Sequence, residues 1–204
     1  MKRRGTVVIA AAVLLLAVAI LLGRPLVGFR SRTFGPFQLM TQHSALTHLS
    51  GPAEPTNTLL SDPASQMHPW ALFAAGELGA GRFALWNPYN AAGAPLFANY
   101  QSALLSPFTL PYYVLPLKAA VLASALLKLL TAGTFAYLFL RRIACTVGAA
   151  LLGAVALAAS GFCMTFIQYP HVGVFALLPM SLFFAEALCA RLGAEGHAAR
   201  SLLG

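Results

Sequence analysis

The stretch SDPASQMHPW, residues 61–70, holds Asp62, the only aspartate in the chain. Gln66 and His68 follow it closely. Two roles are open to a carboxylate in this setting. It can cap a helix, with Pro63 at the first helical position, which contributes about 1 kcal/mol. It can also act as a general base that takes a proton from an acceptor hydroxyl. Farther along, Arg82 offers a cation for phosphate charge. Asn87, Asn90 and Gln101 offer amides that match sugar hydroxyls or serve as ordinary loop hydrogen-bond partners. His171, beside Tyr169 and Pro170, is a second titratable group that either joins the same site or sits in a plain loop.

The elements that must position these groups are apolar. Of 204 residues, 59% are hydrophobic and 9% are charged, against about 25% charged in a soluble domain. This is the composition of an integral membrane protein. The formal charge of +8 does not point to nucleic acid. The basic residues stand in small groups beside apolar runs rather than along one stripe, which is how a membrane protein sets its orientation. Cys145, Cys163 and Cys189 have no CxxC or Cys/His spacing, so neither a disulfide framework nor a zinc site is supported, and nothing in the sequence requires a divalent metal.

The reading is an all-α membrane protein of one domain, 1–204, with four spans at about 5–23, 117–140, 145–166 and 174–190. Run 5–23 is uncharged and long enough for a core of about 30 Å. Arg24 and Pro25 follow it instead of a small-residue cleavage site, which favours an uncleaved span over a signal peptide. Pro170 is expected to break the chain between the third and fourth spans. With the N-terminus in the cytoplasm, Lys2–Arg4, Arg141–Arg142, Arg191 and Arg200 all fall inside. The region of about 24–110 and the QYPH turn then lie outside. The chain stops soon after a span, as a fragment of a longer protein would.

Within that outer region, Met67, Trp70, Ala74 and Leu78 recur at helical spacing, with Pro69 kinking or restarting the helix and Gly79 and Gly81 ending it. This is too short and too polar to span, and it predicts an interfacial helix. Trp70, Trp86, Tyr89, Tyr100, Tyr112 and Tyr113 are expected to form an aromatic belt at the headgroups. Asp62 would then stand where water meets lipid. One chemistry suits that depth: transfer of a sugar from a polyprenyl phosphate, with Asp62 as base and Arg24, Arg30, Arg32 or Arg82 near the leaving phosphate.

The segments SDPASQMHPW, GELGAGRFALWNPYNAAGAPLFANYQSALLSPFTLPYYVLP, FAYLFLRRI, ASGF and YPHVGVFALLPMSL together resemble the N-terminal part of the YfhO family, bacterial multi-spanning proteins related to GT-C glycosyltransferases. The resemblance covers about residues 58–188. It implies a GT-C-like architecture, with the first span leading into a large extracytoplasmic loop of interfacial helices and a catalytic acid near the start of that loop, the place Asp62 occupies. It also implies a bacterial cytoplasmic membrane, a polyprenyl-phosphate sugar donor and an envelope glycan or lipid as acceptor.

Charges inside the apolar runs need partners. Lys118 can reach the headgroups. Lys128 is deeper, and either snorkels or faces other spans or a cavity, where it could approach a phosphate. Glu186 is expected to reach water near the inner end. Two other classes stay open: a non-enzymatic transporter or assembly subunit, and an inactive truncated product. Polar residues gather in one outer region rather than along the spans, which favours the enzyme.

Overall fold

We describe a computed structural model of the chain over residues 2–23, 62–90 and 92–203. Arg24, Arg30, Arg32 and Glu54 lie outside the described residues. The long apolar runs form helices because Leu, Ala and Met favour that geometry and its backbone bonds are satisfied locally, as a bilayer demands. They are α1 (Lys2–Leu22), α4 (Leu117–Arg142), α5 (Val147–Ala158) continued after a break by α6 (Gly161–Thr165), and α7 (Pro170–Leu203). Between α1 and α4 come a wide helical turn at Pro63–Met67, α2 (His68–Gly79), a two-stranded antiparallel ribbon of β1 (Trp86–Asn87) and β2 (Ala94–Pro95), a 3₁₀ turn at Tyr100–Ser102, and α3 (Leu110–Val114). Four segments are long and apolar enough to cross a bilayer: Gly5–Leu22, Leu117–Arg142, Val147–Thr165 and Pro170–Gly193.

Helix α1 is apolar all round and buries only one stripe, Ala10, Leu14, Val18 and Leu22, leaving Val7, Val8, Ile9, Leu16 and Ile20 exposed. Ala10 and Leu14 pack with Ala136, Tyr137, Ala150 and Ala154. Val18 and Leu22 pack with Leu122, Ala125, Leu129 and Ala158. The middle of α1 thus meets the last turns of α4 and its C-terminal end meets the first half of α4, and the helices alternate in direction. Packing between lipid-embedded helices rests on close van der Waals fit, which favours small residues. Accordingly, Ala150, Ala154 and Ala158 recur every fourth residue on α5 and are almost fully buried.

Several boundaries differ from the sequence reading. The third span is interrupted at Ala159–Ser160, where Ser160 accepts from the Cys163 N–H and starts α6. Pro170 begins α7 instead of merely breaking the chain, because the first helical turn has no use for the proline's missing N–H. Pro179 lies inside α7 without ending it. Glu186 does not stand alone at the water: it pairs with Arg142, whose guanidinium also lies over Phe183 at 5.8 Å.

The region before α4 folds onto the bundle through Phe108, which packs with Ala132 of α4 and Ala176 of α7. Gly173 makes this possible, since a Cβ there would lie 2.8 Å from the Phe108 ring. A second small core gathers Trp70, Ala74, Ala84, Leu96 and Leu104. The ribbon closes over Gly93, which has φ +99 and lies under the Trp86 indole, 2.5 Å from where a Cβ would stand. Gly93→Ala is therefore expected to cost about 1–3 kcal/mol locally through strain, and to show as faster proteolysis of the ribbon in detergent while the helical content holds.

Candidate functional site

Pro69 shapes the start of the site. It has no N–H to close onto residue 65, so the helix passes through one wide turn in which the His68 N–H reaches the Pro63 carbonyl. Single wide turns of this kind are frequent at functional sites. The helix ends at Gly79 and Gly81 adopts φ +73, as the two glycines suggested. Met67, His68, Trp70, Ala71 and Ala74 turn inward, while Leu78 is exposed.

His68 is 2% exposed and both ring nitrogens are engaged. Nε2 lies 3.0 Å from Gln168 Oε1, and Nδ1 lies 3.3 Å from the Tyr112 hydroxyl, whose ring stacks on the imidazole. Burial lowers the His68 pKa; the Gln168 hydrogen bond opposes this and the Lys128 charge adds to it. Burial also keeps the Tyr112 proton in place. One neutral arrangement satisfies every atom: Tyr112 O–H donates to Nδ1, and Nε2–H donates to Gln168. His68 thus ties α2, α3 and the turn before α7 together. The unfolded chain binds a proton here before the folded protein does. Stability is therefore full above the ordinary value of 6.5 and falls as pH drops below it. Thermal unfolding in detergent between pH 7.5 and 5 is expected to show that slope (roughly the range in which histidine charge changes), and His68→Gln is expected to flatten it.

Lys128 lies behind this network and is 4% exposed. It does not snorkel. Its Nζ donates to the carbonyls of Ile167 at 2.9 Å and Tyr169 at 3.0 Å. These carbonyls belong to the turn between α6 and α7, Tyr169 standing immediately before the first residue of α7. A charge uncompensated at mid-span costs at least about 2.5–3.5 kcal/mol, and the two carbonyls offset it.

Asp62 stands at the same end of the bundle. Its side chain makes no cap bond to the following turn. It accepts a long hydrogen bond from Gln66 Nε2 at 3.4 Å. The Tyr169 phenol lies against it: burial raises the Tyr169 pKa, the Asp62 charge adds to the rise, and a hydrogen bond from the Asp62 backbone opposes it. Tyr169 thus links the two charges, holding Lys128 through its carbonyl and meeting Asp62 with its ring. His171 is exposed and packs against the Tyr169, Phe162 and Phe166 rings, with 5.1 Å between its centroid and that of Tyr169.

A small polar cavity of about 30 Å³ lies between these elements, room for a water molecule or two. His68, Gln101, Ser106, Thr109, Lys128 and Gln168 are among the residues that line it. The fold therefore brings Asp62, Gln66, His68, Gln101 and His171 to one end of the bundle. It does not bring Arg82 there. Arg82 forms a two-pronged pair with Glu77, at 2.8 and 2.6 Å, which holds the carboxyl below its usual range and the guanidinium above its own. Glu77 lies fifteen helical positions beyond Asp62, about 20 Å away along the axis. Asn87 is buried and its Oδ1 accepts from the Tyr89 N–H, a turn-forming role. Asn90 is exposed in the same turn, its carbonyl accepting from Gly93.

Gln168 and the two carbonyls on Lys128 were not singled out from the sequence, and Tyr112 was expected only as one ring of the aromatic belt. The lysine inside an apolar run was the available signal, and its partners come from a turn some forty residues away. Among the described residues, no group of three or more His, Cys, Asp or Glu could hold a metal ion. Compared with protein-family models, curated proteins and solved structures, the chain matches none.

Proposed function

We propose that the protein is a membrane glycosyltransferase, moving a sugar from a polyprenyl-phosphate donor to an envelope acceptor on the extracytoplasmic face of a bacterial cytoplasmic membrane. The observation that carries this reading is the state of Asp62. Glu77 is paired with Arg82 and Glu186 with Arg142, whereas Asp62 has no cationic partner among the described residues. It is partly exposed, at the end of an apolar bundle, against Tyr169, whose carbonyl the buried Lys128 holds. In the proposed step the Asp62 carboxylate takes the acceptor hydroxyl's proton as that oxygen bonds to the sugar's anomeric carbon. The bond from that carbon to the phosphate oxygen breaks, and the phosphate leaves with the electron pair. In this reading Gln66, Gln101 and His171 contact the sugar or acceptor. Lys128, rather than Arg82, is the cation at this end. The resemblance of the Asp62 region to the YfhO family supports the same reading.

A non-enzymatic assembly or transport subunit is favoured by one observation: His68 and Lys128 spend their hydrogen bonds inside the protein. Mass spectrometry of envelope glycans separates the two. Deletion of the gene is expected to remove one sugar decoration, and a strain carrying Asp62→Asn is expected to lack the same one. A decoration lost on deletion but kept with Asp62→Asn supports the assembly reading. No loss on deletion overturns both.

A further inference from the structure

We propose that the ribbon and the segment following it are a lipid-binding surface, seated in the headgroup layer of the bilayer that the four helices cross. The aromatic residues of this region divide in the fold. Trp70 is buried in the small core, Tyr112 is held against His68, and the Tyr113 hydroxyl donates to the Leu104 carbonyl at 2.7 Å. Trp86, Tyr89 and Tyr100 face outward, and Tyr100 is 97% exposed. Phe83, Phe97 and Leu105 are exposed with them, the two phenylalanine rings edge to face at 5.0 Å. The surface is thus carried by a ribbon and turns, not by the apolar face of α2, which the protein itself covers.

Two features argue for lipid as the occupant. Residues 83–117 contain no Asp, Glu, Lys, Arg or His, bounded by Arg82 and Lys118. A surface facing water would carry about one charged residue in four, while amphipathic tyrosine and tryptophan rings with neutral amides suit the headgroup layer. The exposed apolar side chains also continue into a membrane helix. Leu110, Val114 and Leu115 are exposed immediately before α4 begins at Leu117.

The chain has two tryptophans, one on each side of this division. The full-length protein is reconstituted in phosphatidylcholine vesicles whose chains carry bromine either near the glycerol or near the methyl end. The Trp86 signal is the emission of the unmodified protein minus that of Trp86→Phe, a variant that leaves the buried core untouched; Trp70→Phe gives it directly. Loss of most of the Trp86 emission is expected with bromine near the glycerol, less with deep bromine, and little with aqueous iodide. Quenching by iodide and not by brominated lipid overturns the proposal in favour of a water-facing loop. Quenching by neither overturns it in favour of a covering protein surface.

Discussion

Under the proposed function, Asp62→Asn is expected to lower sugar transfer by about 10²- to 10⁴-fold, the span of a lost general base. The fold gives little reason for any other effect. The Asp62 side chain makes no cap bond, so none is lost. The hydrogen bond it accepts from Gln66 is long, and an amide oxygen can accept it as well as a carboxylate can. Substrate binding should therefore persist while the proton acceptor is gone. In vesicles loaded with a polyprenyl-phosphate sugar and a membrane acceptor, kcat should fall with little change in KM. Unchanged kcat in a correctly inserted protein would end the assignment of Asp62 as base. Gln66→Ala gives a useful contrast: it removes the same hydrogen bond and keeps the carboxylate, so it should raise KM through the lost contact to sugar or acceptor and leave kcat far less changed.

Lys128→Met is expected to destabilise the protein by about 1–3 kcal/mol, since it leaves the buried Ile167 carbonyl without its lysine donor and removes a second bond to the Tyr169 carbonyl. Methionine fills a similar volume with an apolar chain, so the loss reports the carbonyls of Ile167 and Tyr169 rather than a cavity. Unfolding in detergent should move to lower denaturant, with a wider effect on the turn before α7 than on α1. The turn also carries Gln168, which bonds His68, and Tyr169, which meets Asp62. Transfer should thus fall with Lys128→Met as well. A variant as stable as the parent would show that the turn holds without its lysine.

The spans were legible in the sequence because hydropathy and length are local quantities. A run such as 5–23 crosses a bilayer by its own composition. The N-terminal end of the last helix was less legible: Pro170 looked like a breaker, and only its place in the first turn makes it a starter. The six aromatic residues expected at the headgroups divide in the fold. Trp86, Tyr89 and Tyr100 face outward, while Trp70, Tyr112 and Tyr113 are drawn inward. Nothing in the spacing of six aromatic rings says which of them will find a partner.

The site divides in the same way. Composition alone singles out Asp62, as the only aspartate, and Lys128, as a lysine inside an apolar run. It also places QYPH between two spans, which puts Gln168 and His171 at one end. Which cation meets which group was decided by tertiary structure. Arg82 looked available in the sequence and is occupied by Glu77 at the far end of α2. Lys128 could snorkel or face other spans by its sequence, and it is held by carbonyls of a distant turn. The physical reason is that hydropathy depends on the side chain itself. The free energy of a charge in an apolar setting depends instead on the donors and acceptors around it, and those come from segments that only the folded chain brings together.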